Sequence, residues 1–227
     1  MAPSIAIKVA LIIPGAIVAI TFHEAAHGYV ARYLGDDTAA LKGRVILNPP
    51  KHIDAVGTIL LPAILVLLNT GLIFGYAKPV PVNPNALFHP KRDMVWVAAA
   101  GPAMNMILAL LSFLLIFPAR LAGHAVSYWL APILLDSIIT NLLLAIFNML
   151  PLPPLDGGKV AVGLLPKTVA IPLAKLGRHG FLILIGAIVI LPILGKRIGV
   201  DLNIFDWFVL PPIRFVMAGV RAILSHH

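Results

Sequence analysis

No cysteine occurs among the 227 residues, which removes disulfides, thiolate metal sites and thiol nucleophiles. Charge is scarce as well. Only 11% of residues are Asp, Glu, Lys or Arg against 60% hydrophobic, too few polar side chains to coat a water-exposed globule, so a soluble enzyme is nearly excluded. Glutamate is reduced to a single residue, Glu24, leaving eight aspartates and eight histidines as the other candidate metal-binding or proton-transfer groups. What is abundant is apolar sequence in runs of membrane-spanning length, with a mean hydropathy of +0.99. Seventeen Lys and Arg against nine acids give a formal charge of +8. On this background the excess faces anionic headgroups and sets topology, and it does not imply nucleic acid.

The fold class is an all-α polytopic membrane protein with about five to six membrane helices, forming one domain over 1–227. The catalytic core covers about 5–160 and C-terminal membrane helices cover about 181–224. The first apolar stretch, Ile5 to Leu34, is one long or kinked helix interrupted by Pro14-Gly15 and the polar cluster at His23–His27; it continues without a cleavage-like region. Ala55 to Ala77, Met94 to Phe117 and Val126 to Leu150 follow. Helical hydrogen bonding must break at Pro151-Leu152-Pro153-Pro154. Phe181 to Leu194 is a short fifth stretch, and Ile204 to Leu224 is a sixth span or an interfacial helix.

Within the first stretch Glu24 lies between His23 and His27 in the spacing His-Glu-x-x-His. On a helix this stacks both imidazoles on one face, where they can share one zinc ion, with the glutamate beside them to take a proton from water. Three ionisable groups in five residues of an apolar helix are costly without a function. A hydrolytic zinc needs a third protein ligand and an open position. There is no second glutamate, and Val30 and Tyr33 occupy the places a downstream Gly and His would need in the extended form of the motif. Asp156 is the expected third ligand, because it follows an apolar span and Gly157-Gly158 let the backbone fold closely around an ion. Asp136 is the runner-up, read instead as an interhelical hydrogen-bonding group with Thr140 or Asn141. The expected cofactor is one Zn2+ per chain.

These residues resemble the site-2 protease family of intramembrane zinc metalloproteases, in the small prokaryotic form without an appended PDZ or CBS domain. Phe22-His23-Glu24-Ala25-Ala26-His27-Gly28 is similar to its first signature, Ala100-Gly101-Pro102-Ala103-Met104-Asn105 to its central helix, and Asn148 through Gly157 to its last. Leu47–Asp54 and Gly75–Pro84 also resemble segments of the small subgroup, so the likeness covers about Thr21 to Lys159. It implies zinc on His23, His27 and Asp156, Glu24 as catalytic base and Asn148 near the oxyanion. It also implies endoproteolysis of transmembrane segments of other membrane proteins, in a multi-pass protein of the prokaryotic plasma membrane.

Parity sharpens this expectation, since His23, His27 and Asp156 must reach one ion. If the stretch 55–77 is re-entrant, Arg32, Lys42, Arg44, Lys51, Lys78, Lys91, Arg92, Lys159, Lys167, Lys175 and Arg178 share one side against Arg120 alone. A full span divides the same charges five against seven. The expected topology is therefore re-entrant near 55–77, with zinc toward the cytoplasmic side. Ala77 to Val82 is expected as a short extended edge near 77–83 that holds substrate through Lys78, Pro79 and Val80. Asn105, one turn past Gly101, is read chiefly as a close helix contact with a hydrogen bond, and is kept with these among the residues that substrate reaches. A metal-ion carrier or a catalytically silent scaffold for transmembrane helices is the alternative; neither requires a glutamate inside the histidine pair.

Overall fold

The computed structural model describes residues 5–49, 54, 57, 60 and 78–225, and of 5–14 the backbone alone. Six helices carry the fold: α1 (Ile5–Tyr33), α2 (Pro90–Leu121), α3 (His124–Asn148), α4 (Asp156–Leu164), α5 (Lys167–Ile198) and α6 (Phe205–Ser225). No strand occurs among the described residues. Four of the helices, α2, α3, α5 and α6, are long and apolar enough to cross a membrane, and the chain is a membrane protein.

Local chemistry sets the boundaries. Pro90 opens α2 at a position whose N–H has no helical partner to lose, and Asp93 lies in the first turn, where the helix dipole favours a negative charge. Gly123 separates α2 from α3 with φ of +101°, a conformation that a side chain would strain. At the far end of α5, Lys196 and Arg197 face the negative helix terminus, and Gly199 closes it in the left-handed conformation.

The main apolar core joins α2, α3, α5 and α6 through Ile116, Ile138, Leu142, Leu184, Val209 and Ile213. Outward positions of α2, among them Ile107, Leu110, Leu114 and Leu115, are about half exposed, as expected of a helix whose outer solvent is lipid. A smaller cluster of Ala31, Leu87 and Val97 fastens the end of α1 to the start of α2. There the Phe88 N–H donates to the Leu34 carbonyl at 3.0 Å. Of the expected re-entrant stretch 55–77 all but residues 57 and 60 lie outside the described residues, but its flanks meet at one end of the bundle: Arg44 Nη2 donates to the Lys78 carbonyl at 2.8 Å. The expected edge near 77–83 is described from Lys78 onward as irregular chain without a strand partner, and Asn83 at its end is extended.

Candidate metal centre

His23 and His27 lie one turn apart on α1, each 7% exposed, and Asp156 at the first turn of α4 is 5% exposed. Their donor atoms form a nearly equilateral triangle. His23 Nε2 and His27 Nε2 are 3.1 Å apart, and each is 3.2 Å from Asp156 Oδ2. Among the described residues this is the single group of three His, Asp or Glu side chains that could hold one ion.

The orientation of each ring tests whether a metal fits. His27 Nδ1 is 2.6 Å from the Val97 carbonyl, which can only accept, so Nδ1 carries the proton and Nε2 presents a lone pair. His23 Nδ1 is likewise 2.6 Å from Asn105 Oδ1. Two bare imidazole nitrogens and a carboxylate oxygen therefore converge with no donor between them. A proton satisfies one pair of such atoms; a divalent cation satisfies all three. The edges match as well, since ligands on a tetrahedral zinc are separated by about 3.3 Å. The donor set fits zinc and offers three ligands, the number that leaves a position for water.

Glycine makes room for this. A Cβ on Gly101 of α2 would lie 2.5 Å from His27 Nε2 and 2.6 Å from His23 Nε2, so the helix presents bare backbone to the ring nitrogens. Pro102, the next residue, supplies no N–H to the Ala98 carbonyl, the neighbour of the Val97 carbonyl that His27 bonds. On the other side, a Cβ on Gly157 would collide with the carbonyls of Met149 and Leu150, so the turn after α3 can press Asp156 inward only with glycine there. Lys159 Nζ donates to Asp156 Oδ1 at 2.9 Å, occupying one carboxylate oxygen while the other faces the imidazoles.

Glu24, half-buried, accepts from the Val80 N–H at 2.8 Å through Oε2. Val80 is buried against the site while Lys78 and Pro79 are exposed. The strap 78–83 is fastened at three points: the Lys78 carbonyl by Arg44, the Val80 amide by Glu24, and the Asn83 amide by Asp36 Oδ2 at 2.6 Å. Gly28 permits its approach, because a Cβ there would lie 3.3 Å from the Val80 side chain and 3.0 Å from that of Val45. Asp36 is fully buried and also accepts from Thr38 N at 2.9 Å. Burial pushes its carboxyl up, but the Thr38 hydroxyl and the amides of Asn83 and Thr38 outweigh this and hold it below the ordinary carboxylate range.

The predicted residues thus divide. His23, His27, Asp156, Glu24 and Val80 come together. Asn148 Nδ2 donates at 3.0 Å to Leu144 of its own helix and makes no hydrogen bond to the three ligands. Asn105, expected within reach of substrate, is fully buried behind His23. Asn141, weighed as a partner of Asp136, bonds Asn105 instead at 2.9 Å. Lys159, Asp36, Ser137 and the Asn105–Asn141 pairing were missed. The available signal was spacing: Ser137 and Asn141 are one turn apart, and Asn105 and Ser112 two turns apart, on otherwise apolar helices.

Comparison with known proteins places the chain in a lineage. The chain is 42% identical over 171 residues to "Putative zinc metalloprotease YwhC" of Bacillus subtilis, covering 74% of each protein. It is 31% identical over 188 residues to the Mycolicibacterium smegmatis protein of the same description named Rip2, covering 82% of this chain and 69% of that one. A Methanocaldococcus jannaschii protein of that description, MJ0611, is 41% identical over 64 residues, covering 28% of this chain and 31% of its own. No family model and no solved structure matches the chain.

Proposed function

Since the chain belongs to the zinc metalloprotease family of YwhC and Rip2, we propose that it is an intramembrane endopeptidase of the site-2 protease type, hydrolysing peptide bonds within or near transmembrane segments of other membrane proteins. The observation that carries this reading is the triangle of His23 Nε2, His27 Nε2 and Asp156 Oδ2, with Glu24 on the adjoining position of α1, in a chain of membrane-length helices. Zinc, when bound, supplies a Lewis acid that acidifies water and polarises a carbonyl.

The chain's own groups do the rest. The Val80 amide holds one oxygen of Glu24, orienting the carboxylate as a base that takes a proton from water and returns it to the leaving amine. His23 and His27 are held by hydrogen bonds at their far nitrogens. Lys159 holds Asp156 by its second oxygen. The exposed face of the strap, at Lys78 and Pro79, lies beside the base and is the surface proposed to touch an unwound substrate. Asn148 as an oxyanion donor requires its amide to leave the Leu144 carbonyl. Lys78, Arg44, Lys91 and Lys159 cluster at the end of the bundle that carries the site, which supports a plasma-membrane orientation with zinc toward the cytoplasm.

Glu24→Gln tests the assignment. Purified without chelators, the variant is expected to keep one zinc per chain while cleavage of a model transmembrane substrate falls about 10²–10⁴-fold. Turnover equal to the parent's rejects Glu24 as the base. A parent that is free of metal rejects the zinc reading.

A further inference from the structure

We infer that Asn105 and Asn141 form a two-amide relay that fixes the tautomer of His23, so that its Nε2 is presented as a lone pair. The inference rests on the reading of the triangle as a zinc site. Asn105 and Asn141 are 0% and 1% exposed on α2 and α3, and together they link three helices. Asn105 Oδ1 faces His23 Nδ1 at 2.6 Å, while its Nδ2 donates to the Ala19 carbonyl of α1 at 3.2 Å and to Asn141 Oδ1 at 2.9 Å. Asn141 Nδ2 in turn donates to the Ser137 carbonyl at 2.9 Å and to Ser137 Oγ at 3.3 Å. Ser137 Oγ meets Ser112 Oγ at 2.9 Å.

The direction of this chain is forced from its ends. The peptide carbonyls of Ala19 and Ser137 can only accept. Turning the Asn141 amide over would set its oxygen against the Ser137 carbonyl, so its Nδ2 must face Ser137 and its Oδ1 must face Asn105. Turning the Asn105 amide over would set its oxygen against both Ala19 O and Asn141 Oδ1. Asn105 Oδ1 is thereby committed to His23, and His23 Nδ1 must carry the proton. His27 reaches the same state in one step, through the Val97 carbonyl. One ligand is therefore oriented by backbone, which no substitution removes, and the other by two side chains. In the low-dielectric interior of a membrane helix bundle, an amide left without its partners is costly, which favours the fully connected arrangement. Asn105 and Asn141 are positioning residues: they act on the metal through His23 and touch no substrate.

Three variants and one spectrum test the relay, each read apart from proteolysis. Asn105→Leu removes the acceptor for His23 and is expected to weaken zinc binding about 10–100-fold in chelator competition. Asn105→Asp keeps an acceptor for His23 and, as the neutral acid, an O–H for the Asn141 oxygen, and is expected to lose clearly less than Asn105→Leu. Asn141→Leu leaves Ala19 O to orient Asn105 and is expected to lose less than about tenfold. Histidine ¹⁵N spectra of the chelator-treated parent should show His23 protonated at Nδ1, and this arm stands even if a leucine variant fails to fold. Parental zinc affinity in Asn105→Leu overturns the relay, as does equal impairment of Asn105→Leu and Asn105→Asp, or a His23 without a proton on Nδ1. A parent that binds zinc but cleaves nothing overturns the protease reading and leaves the relay intact.

Discussion

Between Thr21 and Asp156 lie all nine buried polar or charged side chains among the described residues, whereas α5 and α6 bury none. The spanning window of α5 is 17% buried against 33% for α2 and for α3. The C-terminal pair is held by apolar contacts, including Phe205 against Phe147 with ring centres 5.6 Å apart. In lipid, apolar surface gains little by leaving one greasy environment for another, so such contacts discriminate weakly between arrangements. Buried polar groups discriminate strongly, because each misplacement strands a donor or an acceptor. The core around α1, α2 and α3 is accordingly specified by hydrogen bonds, and the C-terminal pair by shape.

Substitutions sharpen that contrast. On zinc affinity the largest effect is expected at Gly101→Ala, whose methyl must displace both imidazoles; chelator competition should show a loss of about a hundredfold or more, the scale of an ångström's misplacement in a site. The same change at Gly219 in α6, where a Cβ meets nothing within 4 Å, should leave zinc binding untouched and stabilise by about 0.5–1 kcal/mol. Equal effects at the two glycines would erase the distinction. Val80→Pro removes the amide that holds Glu24, so zinc should be retained while cleavage drops about tenfold, the scale of one hydrogen bond to a charged group.

A smaller effect belongs to Asp36. Its folded carboxyl titrates below the unfolded value, so its contribution to stability is complete above about pH 4 and is lost as pH falls through the depressed value. The melting temperature of the parent should decline on acidification below about pH 4 more steeply than that of Asp36→Asn, and parallel curves would remove Asp36 as a fastener of the strap. The smallest change is expected at Arg120→Gln. This exposed residue donates to the Leu224 carbonyl at 2.8 Å, and thermal unfolding should register less than about 1 kcal/mol.

The convergence of His23, His27 and Asp156 was legible because His-Glu-x-x-His needs only the helical period to place both rings on one face, and because a chain with one glutamate and no cysteine leaves few third candidates. Asn105 was visible as a polar residue in an apolar helix, but its direction was not. Whether such a group meets substrate or the back of a ligand depends on the rotation of α2 against α1, and hydropathy along one chain says nothing about rotation. Asn141 was hidden for the same reason: its partner is 36 residues away on another helix. Val80 was placed near the base by its proline-rich setting, while its bond to Glu24 depends on a loop path that spacing does not encode. The breaks within α5 and α6, a wider helical turn at Gly186–Ile190 and another at Phe205–Val209, had no signature in the sequence reading.

The two attachments of α1 to α2 carry one more implication. Val97 grips His27 near one end of the seam and Asn105 grips His23 deeper within it, eight positions further along α2. Like a pair of dowels in a joint, they forbid both sliding and turning, since a shift by a single residue would shear the two together. Under the proposed activity, a guest helix that pried this joint apart would scatter the very side chains meant to act on it, so the proposal calls for admission through a different wall of the bundle.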